Sequence, residues 1–403
     1  MGANPLLGVL LHWLGGLASA SFYVPYRRVR GWSWETYWLA GGVMSWIVAP
    51  WLLAACLTNN LLHVLRTAPL SAVIWTYFFG VLWGLGGLTF GLTMRYLGLS
   101  LGMSVALGYT AVFGTLVPPL FHGQFMQLLA QRSGVVILIG VGICIAGIVL
   151  AGAAGMSKES ELSQEEKLAS VKEFTLKRGI GVATFCGVMS SCFAFGLDAG
   201  NPIKALTIAQ GTPVMWQGLP VLVVLLAGGF TTNFTWCLVL SMQNGSYGEY
   251  LRIPGRSETK SMAHPSIENI TDAASTEMAL EWEHPPRGAS SLAANYSFSA
   301  LAGATWYMQF FFYTMGETQM GQYRFSSWTL HMASIMIFST LWGIALKEWR
   351  GAGVRTRLLV ASTLLVLVGS TVIVGYGNYL GAASTTPRAS FQKDHGTTSS
   401  AEK

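Results

Sequence analysis

The stretch GVVILIGVGICIAGIVLAGAAG, residues 134–155, is 22 residues long and contains no charged side chain. A helix that crosses a bilayer needs about 20 consecutive, mainly apolar residues. Nine further apolar blocks of similar length follow or precede it. The ten predicted spans cover residues 5–26, 38–58, 70–94, 98–121, 134–155, 179–200, 213–242, 295–316, 325–346 and 356–380. Barrel strands alternate polar and apolar residues over about 10 positions, so these blocks predict an all-α polytopic membrane protein with ten transmembrane helices.

The composition excludes a water-soluble globule. Of the 403 residues, 52% are hydrophobic and 10% are charged, whereas soluble domains contain about 25% charged residues. The net charge of +6 therefore concerns the membrane-facing loops and does not indicate a nucleic-acid partner. The five cysteines lie inside apolar blocks and form no CxxC pair, which predicts packing residues and neither a zinc site nor disulfides.

A charged link at residues 156–178 separates the spans into five and five, and the two halves resemble each other. The matching stretches are GLASASF (16–22) with GVMSSCF (187–193), GVLWGLGGLTF (80–90) with GATWYMQFFFY (303–313), and FGTL (113–116) with FSTL (338–341). Because five spans are an odd number, two such copies run in opposite directions through the membrane. Inverted repeats of this kind are typical of secondary transporters, with the substrate between the repeats.

The predicted domain organisation is a first five-helix repeat, the charged cytoplasmic linker, a second five-helix repeat and a tail. The repeats comprise residues 1–155 and 179–383. A polar loop at residues 243–294 interrupts the second repeat. Residues 384–403 are rich in Ser and Thr and are predicted to be disordered.

Basic residues predict the orientation. Loops after odd-numbered spans hold 17 Lys and Arg residues, and loops after even-numbered spans hold four. Cytoplasmic loops are enriched in these residues, so both termini are predicted to lie outside. The stretch PYRRVRGWSWETYW (25–38) then forms a cytoplasmic turn, and its aromatic residues suit the interfacial belt. The predicted gate or anchor residues of this turn are Arg27, Arg28, Arg30, Trp34 and Glu35, and Glu35 is expected to pair with the arginines or to cap the second span.

Two histidines are the deep titratable groups of the predicted spans. His12 lies in the first span and His331 in the ninth. Ionisable residues inside a membrane are functional candidates by default, and histidine changes charge near neutral pH. Both are therefore predicted proton-coupling residues, the alternative being neutral histidines hydrogen-bonded between helices. Asp198 and Glu317, near span ends, are weaker proton candidates.

Aromatic and amide side chains in the third and eighth spans suit a sugar pocket. Such pockets are mainly apolar, with a few placed polar groups. The alternative is that these aromatic and amide side chains serve in helix packing or lipid contact. The predicted substrate-binding residues are Trp83, Trp306, Tyr307, Gln309 and Tyr313. Signatures of hydrolases, zinc enzymes and P-loop ATPases are lacking, so no catalytic, metal or cofactor site is expected, and an ion gradient is the expected energy source.

Several stretches together carry a resemblance to a known family. They are SFYVPYRRVRGWSWETYW (21–38), GLTMRYLGLSLG (91–102), EFTLKRG (173–179), WYMQFFFY (306–313), SWTLHM (327–332) and LKEWRGAG (346–353). The chain resembles the L-rhamnose–proton symporter family, a ten-span branch of the drug/metabolite transporter superfamily. His12, Trp34, Glu35, Gln309 and His331 match the residues of that family. Gly87 and Thr89 depart from it, since the family pattern has two asparagines there.

The resemblance implies a carrier in the bacterial inner membrane that imports L-rhamnose, or a similar deoxy or pentose sugar, together with a proton. Its partners would be the sugar, the proton and the lipid bilayer, and the oligomeric state stays open. One alternative is a uniporter or exporter of another metabolite within the same superfamily. Another is a sugar sensor or an intramembrane enzyme that kept the scaffold.

Overall fold

The computed structural model describes residues 4–97, 99–161, 176–251, 292–347 and 349–385, which form helices and short connections. Ten long helices, α1 to α10, correspond one to one with the ten predicted spans. Their bounds are Pro5–Ser21 (α1), Trp34–Leu57 (α2), Leu70–Leu97 (α3), Leu99–Phe121 (α4), Arg132–Ser160 (α5), Leu176–Ala199 (α6), Leu219–Asn244 (α7), Leu292–Thr318 (α8), Ser326–Ala345 (α9) and Val354–Thr385 (α10).

Nine of the helices in the described ranges are long and apolar enough to cross a membrane. The exception among the ten is α8, which has 27 residues and is therefore about 40 Å long at 1.5 Å per residue. Its polar residues lower its hydropathy, and several of them, including Asn295, Ser299 and Gln309, are buried. The low hydropathy of α8 thus reflects polar residues that face the interior.

Shorter helices fill the connections. They are Tyr23–Tyr26, Leu61–Thr67, Phe125–Ala130 and Asn201–Ala209, with 3-10 turns at Val214–Trp216, Ser246–Leu251 and Gly321–Tyr323. Within α2, residues Val43–Val48 form a π-helical segment. The 3-10 turn Ser246–Leu251 lies at the start of the predicted polar loop, and α5 continues five residues into the predicted linker. Residues 162–175 of that linker, residues 252–291 of that loop and the predicted tail from residue 386 lie outside the described residues.

Helix neighbours follow one pattern in both halves. Helix α1 packs on α8 and α9, and α6 packs on α3 and α4. Likewise α2 contacts α8 while α7 contacts α3, and α5 pairs with α10. Exchanging the first five helices with the last five leaves this set of neighbours unchanged.

The matched sequence stretches make matched contacts. Gly80 lies against the carbonyl of Leu225 in α7, and its aligned partner Gly303 lies against the carbonyl of Gly41 in α2. In both places a Cβ would collide with main-chain atoms, so glycine is what allows these helices to approach closely.

A second pair of matched contacts involves aromatic rings. Phe22 meets Trp306 with ring centroids 4.2 Å apart, and the aligned Phe193 meets Trp83 at 5.3 Å. These four residues stand at equivalent positions of the two aligned stretches. Each of the two aromatic pairs therefore joins one residue of the first five helices to one residue of the last five.

Candidate functional site

The two histidines meet in the interior, on either side of Tyr313. The imidazole centroids of His12 and His331 lie 5.3 and 5.2 Å from the Tyr313 ring. His12 is 0% exposed and His331 is 2% exposed. Glycines make room for the rings, because a Cβ at Gly316 would lie 2.9 Å from Nε2 of His12, and one at Gly15 would lie 3.4 Å from Nδ1 of His331. Helices α1, α8 and α9 thus bring together both predicted proton-coupling residues.

Polar atoms of this pair, and of α8 one and two turns before Tyr313, lack partners in the described part of the chain. Both ring nitrogens of His12, Nδ1 of His331, Nε2 of Gln309 and Nε1 of Trp306 are buried without a hydrogen-bond partner there. Buried polar groups are nearly always hydrogen-bonded in native proteins. A ligand that carries several hydroxyl groups would supply the missing partners, so this cluster is the candidate site.

Aromatic faces border the polar atoms, and three of them were not singled out from the sequence. Phe193 of α6 stacks on Phe310 of α8 at 4.7 Å and on Trp328 of α9 at 5.9 Å. Tyr313 lies 5.8 Å from Trp328. Each of the three residues belongs to a quoted stretch, where Phe193 ends the repeated GVMSSCF motif. That repetition was the available signal for its role.

The structure places four of the five predicted sugar-binding residues around this centre. Trp83 and Trp306 contact Phe310 at 5.4 and 5.8 Å. Gln309 is 3% exposed, and its main-chain carbonyl faces Gly15 of α1. Tyr307 lies on another face of α8, where its fully buried ring packs on Phe311.

The turn after α1 is tied to helices of the other half. Glu35, 4% exposed, accepts hydrogen bonds from Nδ2 of Asn244 at 3.0 Å and from Oγ of Ser246 at 2.7 Å. The main chain of Arg30 exchanges two hydrogen bonds with the Asn295 side chain of α8. This end of the bundle is therefore closed by contacts between α2, α7 and α8.

The other predicted residues of this turn lie along its surface. Arg27 is half-buried and Arg28 is exposed. Trp34 stacks on Trp38 with centroids 5.4 Å apart and an interplanar angle of 16°. Trp34 thereby extends the aromatic surface from Trp38 towards the end of the bundle.

The opposite end carries a buried ion pair that the sequence did not reveal. Nζ of Lys204 lies 3.1 and 3.2 Å from the two carboxylate oxygens of Glu317, with side-chain exposures of 4% and 15%. Lys204 belongs to the short helix after α6, and Glu317 directly follows Gly316 beside His12. Asp198, the other weaker proton candidate, meets His122 at 2.7 Å, and both side chains are about 40% exposed. Glu317 is thus a partner in an ion pair close to the histidines.

The chain is similar to a family of known proteins over most of its length. Residues 1–248 and 288–380 match the family model described as L-rhamnose-proton symport protein. Relatives named L-rhamnose-proton symporter include one from Cronobacter sakazakii, 33% identical over 372 residues, which are 92% of this chain and 97% of the relative. Others from Klebsiella pneumoniae and Shigella dysenteriae are 32% identical over the same shares of each chain. The protein therefore belongs to the L-rhamnose-proton symport family of membrane transporters.

Proposed function

We propose that this protein imports L-rhamnose across the bacterial inner membrane together with a proton. The observation that carries the proposal is a pair of buried histidines set among aromatic faces where both halves meet. Both ring nitrogens of His12 and Nδ1 of His331 have no hydrogen-bond partner among the described residues. Membership of the family supports both the sugar and the coupling ion.

The histidines supply the proton site. An imidazolium in a dry site needs a hydrogen-bond acceptor, since an unpaired buried charge is costly. A sugar oxygen beside His12 or His331 would be that acceptor. Binding of the sugar therefore favours protonation, and protonation favours binding of the sugar. The centroids of the two imidazole rings lie 5.3 and 5.2 Å from the Tyr313 ring. Positive charges on both histidines would therefore repel each other strongly at low dielectric constant. We accordingly expect one proton for each sugar.

The aromatic and amide groups supply the sugar site. L-rhamnose is a 6-deoxyhexose, with hydroxyl groups and one apolar methyl group. The Gln309 amide and the Trp306 indole N–H offer unpartnered donors to the hydroxyl groups. The rings of Phe310, Phe193 and Trp83 offer apolar faces to the methyl group and the C–H bonds. This combination matches the usual make-up of small-molecule pockets.

The helix neighbours support alternating access by two inverted repeats, residues 1–155 and 179–383. The Gly80–Leu225 and Gly303–Gly41 contacts are equivalent under exchange of the halves, as expected for a duplicated unit. We further propose that both termini lie outside, as the distribution of basic residues predicts. The end tied by Glu35 then faces the cytoplasm, and the end tied by Lys204 and Glu317 faces the periplasm.

Accumulation of labelled L-rhamnose by two histidine variants would test the proton site. We expect His331→Ala to lose accumulation of labelled L-rhamnose against its gradient while the protein is still expressed in the membrane. The matched control is His122→Ala, whose exposed ring lies outside the cluster, and it should accumulate the sugar normally. Full accumulation by the His331→Ala variant would overturn the proposed coupling. Rhamnose movement in the unmodified protein without any proton requirement would favour the alternative, a metabolite uniporter.

A further inference from the structure

Gly87 stands on an inward-facing surface of α3 but has open space around it. Residues three and four apart share one face of a helix, so Gly87 shares its face with Trp83 and Gly84. Trp83 packs on Phe310, and Gly84 packs on Thr232 of α7. Gly87 is nonetheless exposed, and a Cβ there would meet no atom of the described residues within 4 Å.

This exposure is not explained by lipid. Phe78, which is 44% exposed, stands nine residues before Gly87 and therefore half a turn around the helix at 3.6 residues per turn. Ile74 and Trp75, each 54% exposed, lie on that same outer side. The open space beside Gly87 thus lies on the inward-facing side of α3.

Exchange of the two halves shows what fills the equivalent place. In the gapless match of residues 80–90 with 303–313, Gly87 aligns with Phe310. The Phe310 ring occupies the space beside Trp83 and Phe193. The counterparts of those two residues are Trp306 and Phe22, which contact each other. Where one half has a phenyl ring, the other half has only a hydrogen atom.

From this juxtaposition we propose that the space between Gly87 and the Trp306–Phe22 pair is a binding chamber for the transported monosaccharide, on the side of the bundle that carries Glu35. The proposal of this chamber rests on the proposed function, because the ligand of the chamber is the transported sugar. It would hold the sugar after it leaves the histidine pair and before release.

A small cavity adjoining the chamber has the chemistry of a sugar subsite. Its volume is about 10 Å³, and its lining includes Phe22, Trp38 and Trp306. Ser45 and Trp46, also in its lining, are 1% and 3% exposed, and Oγ of Ser45 and Nε1 of Trp46 have no hydrogen-bond partner among the described residues. The cavity has room for about one water molecule, whose place a sugar hydroxyl would take.

The backbone around the cavity supports the same conclusion. Ser45 and Trp46 belong to the π-helical segment Val43–Val48. Such segments interrupt the regular helical hydrogen bonds and frequently occur at functional sites. The segment thus sets the two unpartnered polar groups of α2 against the Trp306 ring of α8.

Filling the chamber is the first test. Gly87→Phe places the missing ring, and the open surroundings of Gly87 let the helix accept it. The matched control is Gly142→Phe in α5, because Gly142 is also exposed and its Cβ would meet no atom within 4 Å in the part of the chain that the structure describes. We expect Gly87→Phe to reduce labelled L-rhamnose uptake about tenfold or more, because the phenyl ring would take the space that the sugar needs. We expect Gly142→Phe to transport the sugar normally. Normal uptake by Gly87→Phe, with normal uptake by the unmodified protein, would overturn the chamber while leaving the proposed function intact.

Chemical labelling decides the chamber even if L-rhamnose is not transported. Gly87→Cys and Gly142→Cys are prepared in a background where the exposed Cys56 is replaced by serine. A thiol reacts as the thiolate, which requires water, so Cys at 87 should react with a water-soluble maleimide about tenfold faster than Cys at 142, and L-rhamnose should slow it. Equal, slow reaction at both positions would overturn the chamber. Fast reaction at 87 without sugar protection, in a protein that transports the sugar, would overturn the sugar assignment.

Discussion

Removing one partner of the Lys204–Glu317 ion pair should destabilise the protein strongly. At 3.1 Å between Nζ and the carboxylate oxygen, the Coulomb attraction at an effective dielectric constant of 20 is about 5 kcal/mol. Breaking a buried pair by deleting one partner costs about 3–5 kcal/mol, because the remaining charge is left uncompensated. Lys204→Met and Glu317→Gln should each therefore lower the free energy of unfolding by several kcal/mol.

The double variant makes the reasoning testable. Lys204→Met/Glu317→Gln removes both charges, so its loss should be smaller than the sum of the two single losses by about 2–3 kcal/mol. Unfolding in mixed micelles titrated with SDS, followed by tryptophan fluorescence, measures the four free energies. The half-exposed pair His122–Asp198 is the control, with an expected coupling of about 1 kcal/mol or less. Single losses at 204 and 317 that add within about 0.5 kcal/mol, as independent sites do, would refute the reasoning.

One further prediction concerns a contact between two helices, and another concerns an exposed carboxylate between helices α5 and α10. Gly16→Ala would place a Cβ into Ser334 of α9 and should lower the thermal midpoint, whereas Gly142→Ala, with open surroundings, should raise stability by about 1 kcal/mol through helix propensity. Equal changes in the stability of the two variants would contradict the close contact between Gly16 and Ser334. Glu161 accepts a hydrogen bond from the N–H of Gly353, which lowers the pKa of its carboxyl below the ordinary value of 4.5. A lowered pKa means that the folded protein is stabilised by the ionised carboxylate and not by the protonated one. The thermal midpoints of the unmodified protein and Glu161→Gln should therefore differ at neutral pH and converge as the pH falls below 4.5. A difference that persists in acid would contradict this role.

The sequence predicted the helices mainly because long apolar blocks mark them. All ten predicted spans are helical, and their ends differ from the prediction by a few residues. Helix α8 shows where hydropathy fails as a signal, since buried polar residues such as Asn295 and Gln309 reduce its apolar character. Its length and its match to α3 identify it better than its composition does.

The site was predictable in its parts and not in its assembly. Burial depth singled out His12 and His331, but their approach across Tyr313 depends on how α1, α8 and α9 pack. Lys204 was missed because a lysine in a polar connection is usually exposed, and only the fold brings Glu317 to it. The partners of Glu35 likewise lie about 210 residues further along the chain.

Proton movement that accompanies the sugar tests the central claim most directly. Vesicles that contain only this protein, with a pH-sensitive dye outside, receive external L-rhamnose without an imposed gradient. Alkalinisation of the outer medium on addition of L-rhamnose, absent in protein-free vesicles, is the predicted result. Entry of labelled L-rhamnose with no change in external pH would contradict proton symport.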